Sequence, residues 1–133
     1  YSNEVLIKYF KCDPIRGETI TLHKAPAGTV MPRHRHTGTV IVYTVKGSWK
    51  YVEHDWIAGP GSIVFETAGS SHTPQALQNG EEVITLNIVV GDLLFVNEQD
   101  QILAIESWKS GVDRYLAFCT AAAVEPVDIT AFG

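Results

Sequence analysis

Residues 28–47 decide the fold of this chain; they read Gly28-Thr-Val-Met-Pro-Arg-His34-Arg-His36-Thr-Gly-Thr-Val40-Ile-Val-Tyr-Thr-Val-Lys-Gly47. Side chains two residues apart point to the same face of an extended strand. His34 and His36 are therefore predicted to project side by side, at a spacing that suits two imidazoles on one metal ion. A His-x-His pair alone also arises by chance on surface strands, so a further ligand is needed.

A third histidine follows in a segment with glycine punctuation of its own. Residues 61–72 read Gly61-Ser-Ile-Val-Phe-Glu66-Thr-Ala-Gly69-Ser-Ser-His72. Two spaced segments that each contain histidine are a more specific signal than either segment alone. The third histidine, His72, strengthens the prediction of a metal site that the His34–His36 pair makes.

The first segment resembles the first motif of the cupin superfamily. That motif reads Gly, five residues, His-x-His, three or four residues, Glu, six residues and Gly. Gly28, His34, His36 and Gly47 fall in register with it, and Val40 stands at the position of the motif glutamate. A valine cannot ligate a metal, so this chain departs from the usual ligand set.

The second segment resembles the second cupin motif, which reads Gly, five residues, Pro-x-Gly, two residues, His, three residues and Asn. Gly61, Gly69 and His72 match, whereas Thr67 replaces the proline and Ala76 the asparagine. The resemblance implies an all-β, single-domain cupin, a double-stranded β-helix or jelly-roll barrel. It also implies that the three histidines surround one metal inside the barrel.

The centre of the chain is similar, more narrowly, to the 2,4'-dihydroxyacetophenone dioxygenase family and related three-His cupin dioxygenases. The similarity includes positions that bind no metal, which makes it more specific, although related sequences include cupin domains of sensor proteins. The matching runs are Pro32-Arg-His-Arg-His-Thr-Gly38, Gly47-x-Trp49-x-Tyr51-x-Glu53 and Ala58-Gly-x-Gly-Ser62-x-Val-x-Glu66-x-Ala68-Gly-x-x-His72-Thr73.

This resemblance implies an Fe(II)-dependent dioxygenase that uses O2 to cleave a carbon–carbon bond of an aryl α-hydroxyketone, giving two carboxylic acids. By ligand type, three neutral imidazoles also suit Zn, Ni, Mn or Cu. Because Val40 supplies no negative ligand, the metal would keep its full charge and open positions for an anionic, chelating substrate. The alternatives are a three-His cupin acting on a β-diketone or other small chelating substrate, and a metal-binding sensor or regulatory cupin without turnover.

Two further residues are candidates for catalysis. Glu66 is expected to act as a general base or as a fourth ligand that replaces the missing glutamate; an exposed strand carboxylate is the alternative. Tyr51 is the preferred hydrogen-bond donor to a substrate. Trp49, Tyr51 and Tyr43 are expected to combine core packing with pocket lining.

Four charged or titratable residues near these segments are expected to lie outside the site. His23 and His54 fall outside the motifs and are assigned surface or structural roles. Arg33 and Arg35 flank the histidine pair and should point to the opposite face of the strand, where they form salt bridges on the barrel exterior.

Length and composition bound the remaining possibilities. A chain of 133 residues with 45% hydrophobic content forms one domain, residues 1–133, although it has no initiator Met and an N-terminal segment of a longer chain is left open. The net charge of −5, without a basic cluster, argues against nucleic acid, and no run approaches the ~20 apolar residues of a membrane span. The isolated Cys12 and Cys119 predict reduced thiols in a cytoplasmic protein rather than a disulfide.

The remaining pattern is almost entirely strand. Asn79-Gly80 between two strands predicts a hairpin, and the exposed edges of such a sheet favour a homodimer or larger homo-oligomer. The expected strands cover residues 5–10, 18–23, 39–45, 49–54, 62–66, 73–77, 83–90, 93–96 and 102–105.

One helix is predicted near the end of the chain. Ser110 fits an N-cap followed three residues later by Asp113. The packed stripe of this helix is expected to comprise Val112, Tyr115, Leu116 and Cys119, which makes Cys119 a core residue rather than a reactive thiol.

Overall fold

The computed structural model describes residues 4–131, which form eleven strands and one helix. All nine predicted strands are present with small shifts at their ends, and β3 and β7 are too short to show a sequence period of their own. The elements are β1 (Leu6–Asp13), β2 (Glu18–Ala25), β3 (His34–His36), β4 (Val40–Lys46), β5 (Trp49–Tyr51), β6 (Ile63–Glu66), β7 (Ser71–His72), β8 (Pro74–Ala76), β9 (Val83–Val90), β10 (Leu93–Val96), β11 (Ile102–Glu106) and α1 (Trp108–Ala122).

Antiparallel pairing arranges the strands in two larger sheets and a small one. The five-stranded sheet has the order β1-β2-β9-β4-β6, the four-stranded sheet has the order β11-β10-β3-β7, and β5 pairs with β8. The two larger sheets enclose the interior, and α1 packs on β1 at one edge. The predicted all-β architecture with a short C-terminal helix is confirmed.

The predicted hairpin at Asn79-Gly80 is wrong. Gly80 does adopt the left-handed conformation of a turn, with φ of 81°. However, β8 pairs with β5, and β9 pairs with β2 and β4, so the strands on either side of the turn belong to different sheets. The turn residues determine a local change of direction, whereas the partner of each strand is determined by which face it must bury.

The helix begins three residues before the predicted position, because Ser107 rather than Ser110 is the N-cap. The Ser107 hydroxyl accepts hydrogen bonds from the backbone N–H groups of Lys109 and Ser110, and the Ser110 hydroxyl accepts one from the backbone N–H of Ser107. A serine at the third helical position thus completes the capping box that glutamate or glutamine usually completes.

Two contacts hold α1 against the barrel. Gly111 approaches β1 so closely that a Cβ atom there would lie 3.2 Å from both Cys12 Sγ and Tyr9. Arg114 donates to the Tyr9 hydroxyl at 2.7 Å and forms a two-pronged ion pair with Glu106.

The predicted packed stripe of α1 is only partly correct, and both cysteines are buried. Cys119 is buried as expected, whereas Leu116 is 43% exposed. Cys12 and Cys119 are both free thiols, which confirms that they form no disulfide. No helix within residues 4–131 has the length and apolar character that a membrane span requires.

The five-stranded sheet exposes apolar side chains on its outer face. Ile41, Tyr43, Ile63 and Phe65 on β4 and β6 all point outward and are 37–67% exposed. Tyr43 therefore does not line the interior, and its predicted role in the pocket is wrong. The strand period explains this, because Tyr43 lies on the face opposite the buried Val40 and Val42.

Candidate metal centre

Strand register brings the three predicted histidines together. β3 lies between β7 and β10, and His34 is directly opposite His72 in the β3–β7 pair. His36 is two residues further along β3 and so shares the inward face of His34. All three side chains are buried, at 5%, 3% and 1% exposure for His34, His36 and His72.

The three imidazoles converge on one point. Each offers a ring nitrogen within 4.8 Å of the others, and the Nε2 atoms of His36 and His72 are only 3.1 Å apart. Two nitrogens that each lie ~2.0–2.1 Å from one metal ion, at tetrahedral or octahedral angles, are separated by roughly 2.9–3.4 Å. The observed distance fits a pair of ligands on a shared ion.

The remaining nitrogens fit the outer side of such a site. His34 Nδ1 lies 3.1 Å from the carbonyl oxygen of Pro32, which sets its tautomer and leaves Nε2 for the cluster. Within residues 4–131, the Nδ1 atoms of His36 and His72 are buried without a hydrogen-bond partner. The donor set is therefore three Nε2 atoms, which suits a transition metal with open positions.

Burial keeps the three rings neutral. The pKa of His34 falls to about 4, that of His36 to about 3 and that of His72 to about 2; burial is the largest cause, and neighbouring imidazoles contribute to the last two. A neutral imidazole has a free lone pair, which is the form that binds a metal. These histidines therefore do not need to lose a proton at neutral pH before they can act as ligands.

Glu66 lies next to His72, directly across the β4–β6 pair from Val40. Its side chain is 13% exposed, and its Oε2 atom is 3.8 Å from His72 Nδ1, so the alternative of an exposed carboxylate is wrong. His72 Nε2 points toward His36, which places the carboxylate at the opposite ring nitrogen. This is the location of a group that orients a metal-binding histidine from outside the coordination sphere.

Tyr51 packs against the same histidine. Its ring stacks on that of His72, with centroids 4.0 Å apart and an interplanar angle of 16°. Burial, and to a lesser extent the charge of Glu66, raise the pKa of the Tyr51 hydroxyl, so the group remains protonated and can donate a hydrogen bond. Trp49 and Trp56 meet the Tyr51 ring edge-on and keep it in place.

The three histidines and Tyr51 line a cavity of about 110 Å³ inside the barrel. Val40, at the position of the motif glutamate, lies on the cavity wall and is 3% exposed. None of the described residues that line this cavity is Asp, Glu, Lys or Arg. The cavity is therefore an uncharged compartment in which the imidazole cluster is the main polar feature.

Sequence reasoning missed the polar residues that the five-stranded sheet contributes to this cavity. His23 on β2 and Thr85 and Asn87 on β9 all line it, so His23 is not a surface residue. The signal that could have found His23 is its position two residues after the buried Thr21, which puts both side chains on the same face of β2. That spacing becomes informative only once the inward face of the strand is known.

Two other predicted placements are confirmed. His54 is exposed, stacks on Trp56 and is not part of the three-histidine cluster. Arg33 points outward and forms a salt bridge with Asp100, with the Nη1 and Oδ1 atoms 2.7 Å apart.

The comparison that decides the family is a match over most of the chain. Residues 1–90 match the model of the ChrR cupin-like domain. The chain belongs to the ChrR cupin-like domain family. The cupin resemblance that the two histidine motifs carried is thus confirmed, and the barrel described above is a cupin barrel. No curated protein matches this cupin.

Solved structures similar to this cupin differ in what is known of their function. An RmlC-like cupin protein from Ralstonia eutropha JMP134 is 59% identical, with a TM-score of 0.97 over 100% of this chain and 85% of its own. An acetylacetone dioxygenase from Acinetobacter johnsonii shares the fold at 20% identity, with a TM-score of 0.78 over 85% and 77% of the two chains. A structure of Rhodobacter sphaeroides SigE in complex with the anti-sigma ChrR also shares it, at 22% identity and a TM-score of 0.57 over 66% and 45%.

Proposed function

We propose that this cupin is an Fe(II)-dependent dioxygenase that cleaves the bond between the carbonyl carbon and the hydroxyl-bearing carbon of an aryl α-hydroxyketone. Each of these two carbons gains one oxygen atom from O2, so the products are an aryl carboxylic acid and formate. The observation that carries the proposal is the convergence of three buried, neutral imidazoles on an uncharged cavity, with no carboxylate in the ligand set.

His34, His36 and His72 would hold the iron through their Nε2 atoms. Bound there, the iron would supply a Lewis acid with adjacent open positions for a chelating ketone and O2. Because Val40 supplies no charge to the ligand set, the site favours an anionic, bidentate ligand. The apolar side chains on the cavity wall exclude water from the reacting carbons.

Tyr51 and Glu66 would act around this centre. Tyr51, kept protonated by burial, is proposed to donate a hydrogen bond to a substrate oxygen while its ring holds His72 in place. Glu66, whose Oε2 lies 3.8 Å from His72 Nδ1, is proposed to orient that ligand electrostatically from outside the coordination sphere. The competing assignments for Glu66 are the general base that removes the α-proton and a fourth metal ligand.

Oxygen uptake tests the proposal. Protein loaded anaerobically with Fe(II) should consume O2 when 2,4'-dihydroxyacetophenone is added, and a variant with His72→Ala should not. A β-diketone such as acetylacetone belongs in the same experiment, because an acetylacetone dioxygenase shares this fold. If only the β-diketone caused O2 uptake, the substrate class would be β-diketones rather than aryl hydroxyketones.

A regulatory cupin is the second candidate, and the match to the ChrR cupin-like domain favours it. In that case, the three histidines would hold a metal whose binding changes an interaction with another protein. This candidate would be supported if the metal-loaded protein consumed no O2 with any chelating ketone, whether or not the ketone binds. The small-molecule partner would then be a signal rather than a substrate.

A further inference from the structure

The five-stranded sheet places three polar side chains, His23, Thr85 and Asn87, on its cavity face among apolar neighbours. Along β9, Thr85 and Asn87 face the cavity, whereas the intervening Leu86 and Ile88 lie on the outer face. Polar groups are usually excluded from an interior unless they are hydrogen-bonded. Polar side chains at the centre of this inward face therefore need a reason other than folding stability.

Register places three of these polar residues beside one another. His23 on β2 is directly opposite Thr85 on β9, and Asn87 is the next inward-facing residue along β9. The sheet that carries them faces the one that carries His34, and all of these residues line the same cavity. The group thus lies across a small cavity from the imidazole cluster.

The hydrogen bonds inside this group leave several polar atoms available. Asn87 Nδ2 donates to Thr85 Oγ1 at 3.0 Å and to the Thr85 carbonyl oxygen at 3.1 Å, which fixes the orientation of the amide. Among residues 4–131, neither ring nitrogen of His23 nor Oδ1 of Asn87 has a hydrogen-bond partner. Fixed polar atoms without partners on a cavity wall are what a ligand's polar group binds.

We propose that His23, Thr85 and Asn87 form a second subsite, which hydrogen-bonds an uncharged hydroxyl group at the end of the ligand remote from the three imidazoles. The ligand group is uncharged because no described residue lining the cavity carries a charge to pair with it. The subsite therefore selects aryl ketones with a phenolic hydroxyl on the ring over those without one. This selection rests on the proposed function, because it assumes that the ketone end is held at the metal.

Ligand binding without O2 tests the subsite independently of turnover. Calorimetry on anaerobic, Fe(II)-loaded protein compares 2,4'-dihydroxyacetophenone with 2-hydroxyacetophenone, which lacks only the distal hydroxyl. The wild type should bind the phenol about 10-fold more tightly, since one buried hydrogen bond is worth ~1–1.5 kcal/mol. In His23→Leu and in Asn87→Leu, this ratio should fall to about one, and His23→Gln should restore part of it.

A variant of the apolar wall is the matched control. Val89 lines the same cavity, and Val89→Ala should change the affinity for both ketones by the same factor, leaving their ratio intact. Equal affinity of the wild type for the two ketones would overturn the subsite. The subsite would also be overturned if His23→Leu and Asn87→Leu lowered the affinity for both ketones by the same factor, because a purely structural role has that effect.

A second pair of ligands separates failure of the subsite from failure of the proposed function. 4'-Hydroxyacetophenone and acetophenone cannot chelate a metal as hydroxyketones, but they differ in the same distal hydroxyl. If the chelating ketones bind no better than these two, the proposed function is wrong, and the subsite stands if the His23-dependent preference for the hydroxyl remains. If none of the four ligands binds, both proposals are overturned.

Discussion

Replacing Glu66 by glutamine is the perturbation that best separates the possible roles of the carboxylate. The substitution keeps the shape of the side chain and removes its charge. Glu66 Oε2 is 3.8 Å from His72 Nδ1, and the side chain is only 13% exposed. The variant therefore loses a charged acceptor close to one metal-binding histidine without opening a cavity.

The magnitude follows from this geometry. Two full charges ~4 Å apart would interact by ~4 kcal/mol at an effective dielectric constant of ~20. The imidazole is a neutral dipole rather than a full charge, so the loss should lie below that value, at about 1.5–3 kcal/mol. This corresponds to a metal affinity lower by about 10–100-fold, which is the usual effect of removing a carboxylate that orients a metal-binding histidine.

Competition with a chelator measures the affinity, and oxygen uptake measures the turnover of the fully loaded variant. The orienting role predicts the 10–100-fold loss of affinity with unchanged coordination by X-ray absorption. A general base predicts unchanged affinity and a turnover lower by ~10²–10⁴-fold. A fourth ligand predicts the loss of one oxygen atom from the coordination sphere.

Glu81→Gln is the matched control, because Glu81 is an exposed carboxylate in the loop before β9. It removes the same charge from the protein and should change neither quantity. If Glu66→Gln also changes neither metal affinity nor turnover, the contact with His72 has no functional role, and the argument for Glu66 is refuted.

The other predictions concern the ligands, the vacant glutamate position, the helix and the exposed sheet. Alanine at any one of the three site histidines should remove most bound metal and all turnover, whereas His54→Ala should not; metal analysis that shows full occupancy would mean the wrong ligand was chosen. Val40→Glu should hold the metal at least as tightly while turnover falls, because a carboxylate would fill a position that substrate needs; faster turnover would contradict this. Burial would raise the pKa of Glu106, but hydrogen bonds from Arg114 hold it below its usual value, so Glu106→Gln should cost about 1–2 kcal/mol of stability at neutral pH. That difference should be fully present above the ordinary glutamate pKa of ~4.3 and should disappear only as the pH falls through the lower pKa of the folded state; chemical denaturation at neutral and at strongly acidic pH checks it. The protein should be a homodimer or larger, and Phe65→Lys on the outer face should shift it toward monomer in light scattering; a monomeric wild type would contradict the expectation.

The three histidines could be predicted from the sequence by strand spacing together with the resemblance to the two cupin motifs. The strand period places His34 and His36 on one face, the match to the second cupin motif adds His72, and the β3–β7 pairing puts His72 opposite His34. The relation between Val40 and Glu66 could not be predicted in the same way. These residues are far apart in sequence, and only the β4–β6 register shows that they are direct neighbours.

The errors arise where a local signal competes with a contact from elsewhere in the chain. Asn79-Gly80 forms a turn, but the strands beside it find partners in different sheets. Ser110 was chosen as the N-cap because Asp113 follows at the right spacing. Its actual role is to accept a hydrogen bond from the N-cap residue Ser107, and Gly111, a poor helix former, is favoured inside the helix by its close packing on β1.

His23 shows a different limit. A lone histidine on a strand is usually a surface or structural residue, and nothing near it in sequence marks it as part of a site. Its position on the cavity wall follows from the pairing of β2 with β9, which turns His23 and Thr85 toward the interior together. Polar residues on an inward face are therefore visible only after the sheet has been assembled.

Turnover under ¹⁸O2 tests the central claim most directly. Fe(II)-loaded protein is supplied with 2,4'-dihydroxyacetophenone, and the two products are analysed by mass spectrometry. The proposed cleavage should give equal amounts of 4-hydroxybenzoate and formate, each carrying one ¹⁸O atom. Unlabelled products, label in only one of the two acids, or the absence of any product from the metal-loaded protein would contradict it.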